Sequence, residues 1–379
     1  MSWKCRLGND WGRLGMMSNL SSLCTYAKGK VSVDTLSKQN YVSTENMLPN
    51  KGGIVDAGGL PSVQYVQQYI KGDILVSNIR PYFKKIWMAN EDGGCSNDVL
   101  VFRAAHGCDS TFLYYVLSND AFFNYASATS KGTKMPRGDK IAIMQYEVPC
   151  FDHETQLRIG KLLRSIDARI TVNKKINDNL QQQVSALFDN WFVDFGRFDG
   201  NMPIDWHSGK LADIANVTSG KRPPLKSSEK TASATIPLVG AASVMGYTSD
   251  TLYDSPILVT GRVGTHGVVQ RFYSSCWPSD NTLVITSPFY EFTDQVLRRV
   301  DYVNMNRGST QPLITQTDLK NIEIVIPSDS VLKEFESLAS TLMQKHAENC
   351  QENQRLYELR DALLPRLISG EIIVSDVQV

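Results

Sequence analysis

The cysteines of the sequence are few and scattered along the chain. The seven, at positions 5, 24, 95, 108, 150, 276 and 350, are odd in number and form no CxxC pair. That scatter argues against both a disulfide framework and a zinc site, and points to a reducing cytoplasm. The five histidines (106, 153, 207, 266 and 346) build no HExxH or other ligand cluster. No apolar run approaches the roughly 20 residues that a membrane span needs, and the opening stretch MSWKCRLGNDWG has no signal-peptide core. The phosphate loop GxxxxGKS/T, the GxSxG elbow and the NPPY or DPPF tetrapeptide of amino-methyltransferases are all missing. No cluster of carboxylates with a lysine suits a metal nuclease. The glycine-rich TGRVGTHG at 260–267 reads as a strand turning tightly into another, because no acidic residue follows at the spacing of a dinucleotide loop. The chain is expected to bind without catalysing and to carry no cofactor or metal of its own.

Charge of one sign is missing too, with 39 Lys+Arg against 39 Asp+Glu. That balance by itself counts against a nucleic-acid binder. The distribution is uneven, however. Residues 1–150 carry 16 basic against 12 acidic side chains and residues 329–379 carry 5 against 9, while 151–328 are balanced. Any DNA surface must be a local patch on a globular part, relying on base contacts more than on bulk attraction.

What is present in quantity is helical periodicity. Ile159, Leu163, Ile166, Ile170, Asn173, Asn177, Leu180, Val184, Leu187 and Trp191 follow at alternating steps of four and three, the a/d seam of a coiled coil. At about 1.5 Å per residue the seam is a rod of roughly 50 Å. A helix this long needs a partner. Phe335, Ala339, Leu342, His346, Asn349, Asn353, Leu356, Arg360, Leu363 and Leu367 occupy the same ten slots 176 residues later. In an antiparallel pair Asn173 meets Asn353 and Asn177 meets Asn349, a polar layer that costs stability but fixes register.

The segments ahead of each rod repeat as well. At an offset of 183, PILVTGR (256–262) matches DILVSNIR (73–80) and SDNTLVI (279–285) matches SNDVLVF (96–102). RGSTQP (307–312) matches KGTKMP (131–136) at 176, WHSGKLADI (206–214) echoes WGRLG (11–15) with Leu211 opposite Leu14, and NIEIVIP (321–327) enters its rod as IAIMQYEVP (141–149) does. STFLYYVLSNDAFFNYA (110–126) has helical spacing. The expected fold is α+β: two similar globular α/β domains at 1–150 and 196–328, long helices at 151–195 and 329–370, and a tail at 371–379. The helices pair as an antiparallel coiled coil. A period near 180 residues is two whole domains, too long for a solenoid repeat.

The binding candidates are the paired basic loops. In Lys131, Thr133, Lys134 and Arg137, and in Arg307, Ser309, Thr310 and Gln311, cations and hydroxyls suit phosphates, and Gln311 suits a bidentate base contact. A solvated hairpin tip is the plain alternative for either loop alone. Arg80, Lys84 and Lys85 in the first domain and Lys221, Arg222, Arg262 and His266 in the second extend the set.

The order of domain, long helix, domain, long helix, together with WHSGKLADI, GDILVSNIRP, the KGT and RGSTQP loops, the EVP and VIP strand ends, ALFDNWFVDF (186–195) and ALLPRLISGEI (362–372), resembles the specificity (S) subunit of a type I restriction–modification system. The resemblance covers essentially the whole chain, and its last two motifs are the most specific. It implies a non-catalytic bacterial or archaeal subunit whose globular parts are target recognition domains, each reading half of a bipartite site on double-stranded DNA. The helix pair would set the half-site spacing and dock two methyltransferase subunits, with a restriction and translocation subunit as a further partner. S-adenosylmethionine, ATP and Mg would be bound by those partners. Docking would fall on Phe188, Trp191, Phe192, Leu364, Leu367 and Ile368, whose bulk exceeds what the seam requires. The competing reading is a coiled-coil scaffold whose heads bind protein.

Overall fold

The computed structural model describes residues 17–263, 267–305 and 313–374. The chain forms two compact units, Met1–Val172 with Glu352–Val379, and Asn173–Gln351. Each therefore holds one globular head, the adjoining part of that head's neighbouring helix, and a part of the other long helix.

In the first unit the β-branched runs make an antiparallel sheet in the order Cys24–Tyr26, Val99–Ala104, Ile74–Ser77, Ile86–Met88. A second sheet runs Lys30–Ser32, Tyr65–Tyr69, Gly93–Cys95, Tyr41–Val42, its last pair parallel. Met17–Asn19 pairs with Glu147–Pro149 at the base. The second unit repeats the plan with Asn216–Ser219, Thr282–Thr286, Ile257–Gly261, Gln270–Phe272 in one sheet and His207–Lys210 against Glu323–Ile326 at the base. Its second sheet is smaller, Val244–Thr248, Ile236–Val239, Trp277–Pro278, again with a parallel last pair.

The helices His153–Phe188 and Asp329–Ile368 run unbroken. Ile159, Leu163, Ile166, Ile170, Asn173, Asn177, Leu180 and Val184 are all buried, so the seam read from the sequence is the buried face. Within each unit the helix segments are antiparallel. In the first, Arg169 Nε reaches Glu352 Oε1 at 3.0 Å and Arg360 Nη1 reaches Asp167 Oδ1 at 2.8 Å. In the second, Asn349 Nδ2 donates to Asn177 Oδ1 at 2.9 Å while Asn177 Nδ2 donates to the His346 carbonyl at 3.2 Å. Both ends of the buried Asn177 amide are thus satisfied, the oxygen by Asn349 and the nitrogen by the His346 carbonyl, as burial of polar groups requires.

Four local expectations change. The helical run 110–126 breaks at Asn119 into Ser110–Ser118 and Asp120–Ala128, because Asn119 is extended and its side chain caps the second helix at Ala121 N. Of IAIMQYEVP (141–149), which leads into the first rod and reads from sequence as a strand, only Glu147–Pro149 is one, since Asp139 caps a short helix at Lys140–Ile143. The run 95–102 is two strands, Gly93–Cys95 and Val99–Ala104, divided by a turn in which Val99 N donates to the Ser96 carbonyl. Leu14 lies outside the described residues, and the place of Leu211 is taken in the first unit by Leu20. Leu20 N donates to Tyr146 O as Leu211 N donates to Ile322 O.

The expected docking residues are also corrected. Phe188, Trp191 and Phe192 are buried in the second unit's core, where the Phe192 ring lies 4.9 Å from Phe292 and 5.1 Å from Phe335. Leu364, Leu367 and Ile368 are buried in the first unit's core with Ile159 and Leu163. Their bulk exceeds the seam's need because they close the base of a head against its helices. Side chains with 0 to 7% of their surface exposed present no docking face.

Candidate nucleic-acid interface

In the first head the strand Ile74–Ser77 delivers the chain into a set of interlocked loops. Asn78 N donates to Asp98 O at 2.8 Å, Gly138 N to Asn78 O at 3.1 Å, and Arg80 N to Pro136 O at 2.8 Å, with Ile79 and Arg137 bridged. The turn after the strand and the loop of the 130s are therefore one surface, joined by backbone. Gly138 is required there: a Cβ would stand 2.8 Å from Ile143 Cδ1 and 2.9 Å from Asn78 Oδ1. Lys131 and Arg137 exchange both backbone hydrogen bonds, at 2.8 and 2.9 Å, which makes residues 131–137 a hairpin. Gly132 at its tip sits at φ +93°, a conformation that costs a glycine nothing.

A third loop completes the surface and was not legible from sequence. Asn50 N donates to Phe83 O and Lys51 N to Lys84 O, both at 2.8 Å. Asn50, Lys51, Arg80 and Lys84 all have positive φ, between 49° and 62°. Left-handed backbone at residues with a Cβ costs about 1 kcal/mol each and clusters where function demands a shape.

The structure brings Arg80, Lys84, Lys85, Lys131, Thr133, Lys134 and Arg137 together. Most of their charges are internally answered. Lys84 and Lys51 clamp Asp120 at 2.8 Å each, Lys131 meets Asp139 at 2.5 Å, Arg137 meets Asp98 at 3.0 Å, and Lys85 Nζ donates to the Thr44 carbonyl at 2.6 Å. The Lys131 ammonium, with the Ala142 and Ile141 N–H groups, holds the Asp139 carboxyl below its ordinary range. Burial acts against Asp120, but Lys51 and Lys84 outweigh it and lower its pKa too. Thr133 and Lys134 are exposed at the hairpin tip, and Arg80 Nε is buried without a hydrogen-bond partner. Surface ion pairs such as those of Asp98, Asp120 and Asp139 contribute little to stability, so a phosphate can replace any of the three carboxylates at little cost.

The second head repeats the junction. Arg262 N donates to Asn281 O at 2.9 Å, Ile314 N to Arg262 O at 3.0 Å, and Val263 and Leu313 are bridged. Arg262 therefore stands at the foot of the loop that carries Arg307, Ser309, Thr310 and Gln311. Those four residues and His266 lie outside the described residues. Lys221 and Arg222 are exposed on the adjoining edge, where Lys221 N donates to Pro278 O and Trp277 Nε1 to Lys221 O. Among the described residues no group of three or more His, Cys, Asp or Glu is placed to hold a metal ion.

Two heads with the same strand order and the same loop junction agree with what the sequence matches. The family model of the type I restriction modification DNA specificity domain matches twice, at residues 16–182 and 203–348. The chain belongs to this family. As a type I specificity subunit it resembles the MjaIX specificity subunit of Methanocaldococcus jannaschii, 26% identical over 72% of this chain and 71% of the relative. The HindI specificity subunit of Haemophilus influenzae is 24% identical over 88% of this chain and 94% of its own. In fold it resembles the S subunit of a type I restriction–modification system from M. genitalium, with a TM-score of 0.62 at 18% identity over 96% of this chain and 98% of that one. No helix among the described residues of this specificity subunit is long and apolar enough to cross a membrane.

Proposed function

We propose that each head reads one half of a bipartite sequence in double-stranded DNA, the first through the loops around Arg80 and Lys131–Arg137, the second through Arg262 and the 307–311 loop. The observation that carries this reading is the duplicated junction, Ile79 with Arg137 and Val263 with Leu313, in a chain that matches a DNA specificity domain twice. The antiparallel helices set the distance between half-sites. The chain works without an active site of its own, in the cytoplasm, alongside two methyltransferase subunits that bind S-adenosylmethionine. A restriction subunit using ATP and Mg acts on the same complex. Docking falls to exposed residues of the helices, because the six apolar residues of the rod ends are buried in the heads.

The test is a pair of loop variants assayed against a randomised duplex pool in the complex with the methyltransferase subunits. Lys134→Ala with Arg137→Ala should relax or change selection in one half-site only, and Gln311→Ala with Arg307→Ala in the other, each base contact being worth about 1–3 kcal/mol. Equal loss of affinity on every sequence would mean that the loops clamp phosphates and do not read bases. Binding with no sequence preference at all would favour a protein-binding scaffold.

A further inference from the structure

The loop cluster of the first head carries aromatic side chains that phosphate binding does not explain. Tyr82 is 51% exposed and Phe83 38%, their rings packed on each other at 4.8 Å between centroids. They form the short turn Pro81–Phe83, held between two left-handed residues, Arg80 at φ 49° and Lys84 at φ 52°. The third loop fastens the turn from the other side through Phe83 O and Lys84 O. Met135, 51% exposed, precedes Pro136, whose carbonyl receives Arg80 N. The apolar tip is thus held rigid by strained backbone, and ordering it on binding costs little entropy. Around it stand seven cations, Lys51, Arg80, Lys84, Lys85, Lys131, Lys134 and Arg137, against three carboxylates, Asp98, Asp120 and Asp139.

An apolar tip in a cationic collar fits a polyanion that exposes apolar groups between its charges. In duplex DNA the apolar feature of the major groove is the 5-methyl group of thymine, which no cation can recognise. We propose that Tyr82, with Phe83 supporting it, determines specificity by packing on a thymine 5-methyl in the half-site read by the first head. The inference rests on the half-site reading above. It is confined to one half, because the second head has RVGTHGVV where the first has IRPYFKK, with no aromatic pair.

The experiment uses the full chain in its complex and a duplex bearing the selected target, with each thymine of either half replaced singly by deoxyuridine. Loss of one methyl at one position of the first half should weaken wild-type binding about fourfold, the value of one buried methyl. The Tyr82→Ala, Phe83→Ala double variant should bind the thymine duplex more weakly than wild type and lose nothing further on the deoxyuridine duplex. Tyr82→Leu should retain the methyl effect, which separates lost contact from lost folding. A wild type that discriminates targets but is indifferent to every methyl, a variant that loses fourfold again, or a first half-site without an A·T pair would overturn the inference alone. A wild type with no sequence preference would overturn the half-site reading and this inference with it.

Discussion

Glu336, half-buried on the second long helix, spends both carboxylate oxygens on the second head, accepting from Glu291 N at 3.0 Å and Phe292 N at 2.7 Å. Beside it Arg271, Glu291 and Asp294 form a buried charge cluster, with Arg271 Nη1 to Asp294 Oδ2 and Nη2 to Glu291 Oε1 at 2.6 Å. Burial pushes the Glu336 pKa up from 4.5 to about 7, against the two N–H bonds and the Arg271 charge, which lower it, and with the Glu291 charge, which raises it. A raised carboxyl pKa means that the folded chain keeps a proton the unfolded chain has lost. The stabilisation is complete below pH 4.5 and disappears as the pH rises through about 7. In Glu336→Gln this titration is gone. Denaturant unfolding at pH 5 and pH 7.5 should therefore show a flatter profile in the variant, the difference between the two proteins changing by about 1–2 kcal/mol across that window. Parallel profiles would show that Glu336 titrates at its ordinary value.

At the scale of the element, the two heads solve one problem in two ways. Both carry a nine-residue helix packed on a long helix, Ser110–Ser118 and Tyr290–Arg298. In the first, Asp109 caps locally, its Oδ1 accepting from Phe112 N at 2.8 Å, and Gly160 on the long helix leaves room for it, since a Cβ there would lie 3.0 Å from Asp109 Oδ1. In the second the cap position is Phe289, which has no side-chain acceptor, and Glu336, 176 residues after Gly160, supplies the oxygens from the long helix. Gly160→Glu should thus destabilise the first head by about 2 kcal/mol through two carboxylates at one helix end, and Asp109→Ala should cost about 1 kcal/mol as a lost cap. Combined, the two changes transplant the second head's arrangement and should cost less than their sum, which a thermal double-mutant cycle would read; additive losses would sink the equivalence. This correspondence was legible only in part. The offset of 176 between the rods, the two strand matches and the seam follow from periodicity alone. The break at Asn119, the fastening of Asn50 and Lys51 to Phe83 and Lys84, and the four left-handed residues depend on pairings between segments distant in sequence, which no local pattern encodes. The aromatics of the rod end were misjudged because bulk beyond the seam's need has two causes, an external partner or the chain's own head, and periodicity does not separate them.

For the whole molecule the question is what fixes the alignment of two seams that are largely apolar and repetitive. A shift of one heptad moves one helix about 10 Å along the other, close to three base-pair rises of B-DNA, and Ile, Leu and Val layers tolerate it. The bond from Asn349 Nδ2 to Asn177 Oδ1 does not, because any slipped alignment leaves buried amides opposite hydrocarbon. If the helix pair measures the distance between half-sites, this layer is its zero mark. Replacing Asn173, Asn177, Asn349 and Asn353 together by Leu removes four buried amides from the seam, so the unfolding midpoint should rise by several degrees. The same variant should accept targets whose half-sites are moved apart or together by about three base pairs, where the parent accepts a single spacing. Selection from duplexes with graded spacers, read by sequencing the bound fraction, measures this directly. A more stable variant that keeps the parent's spacing would assign the alignment to the heads, since the second unit's core already holds Phe188, Trp191 and Phe192 and the first unit's core holds Leu364, Leu367 and Ile368.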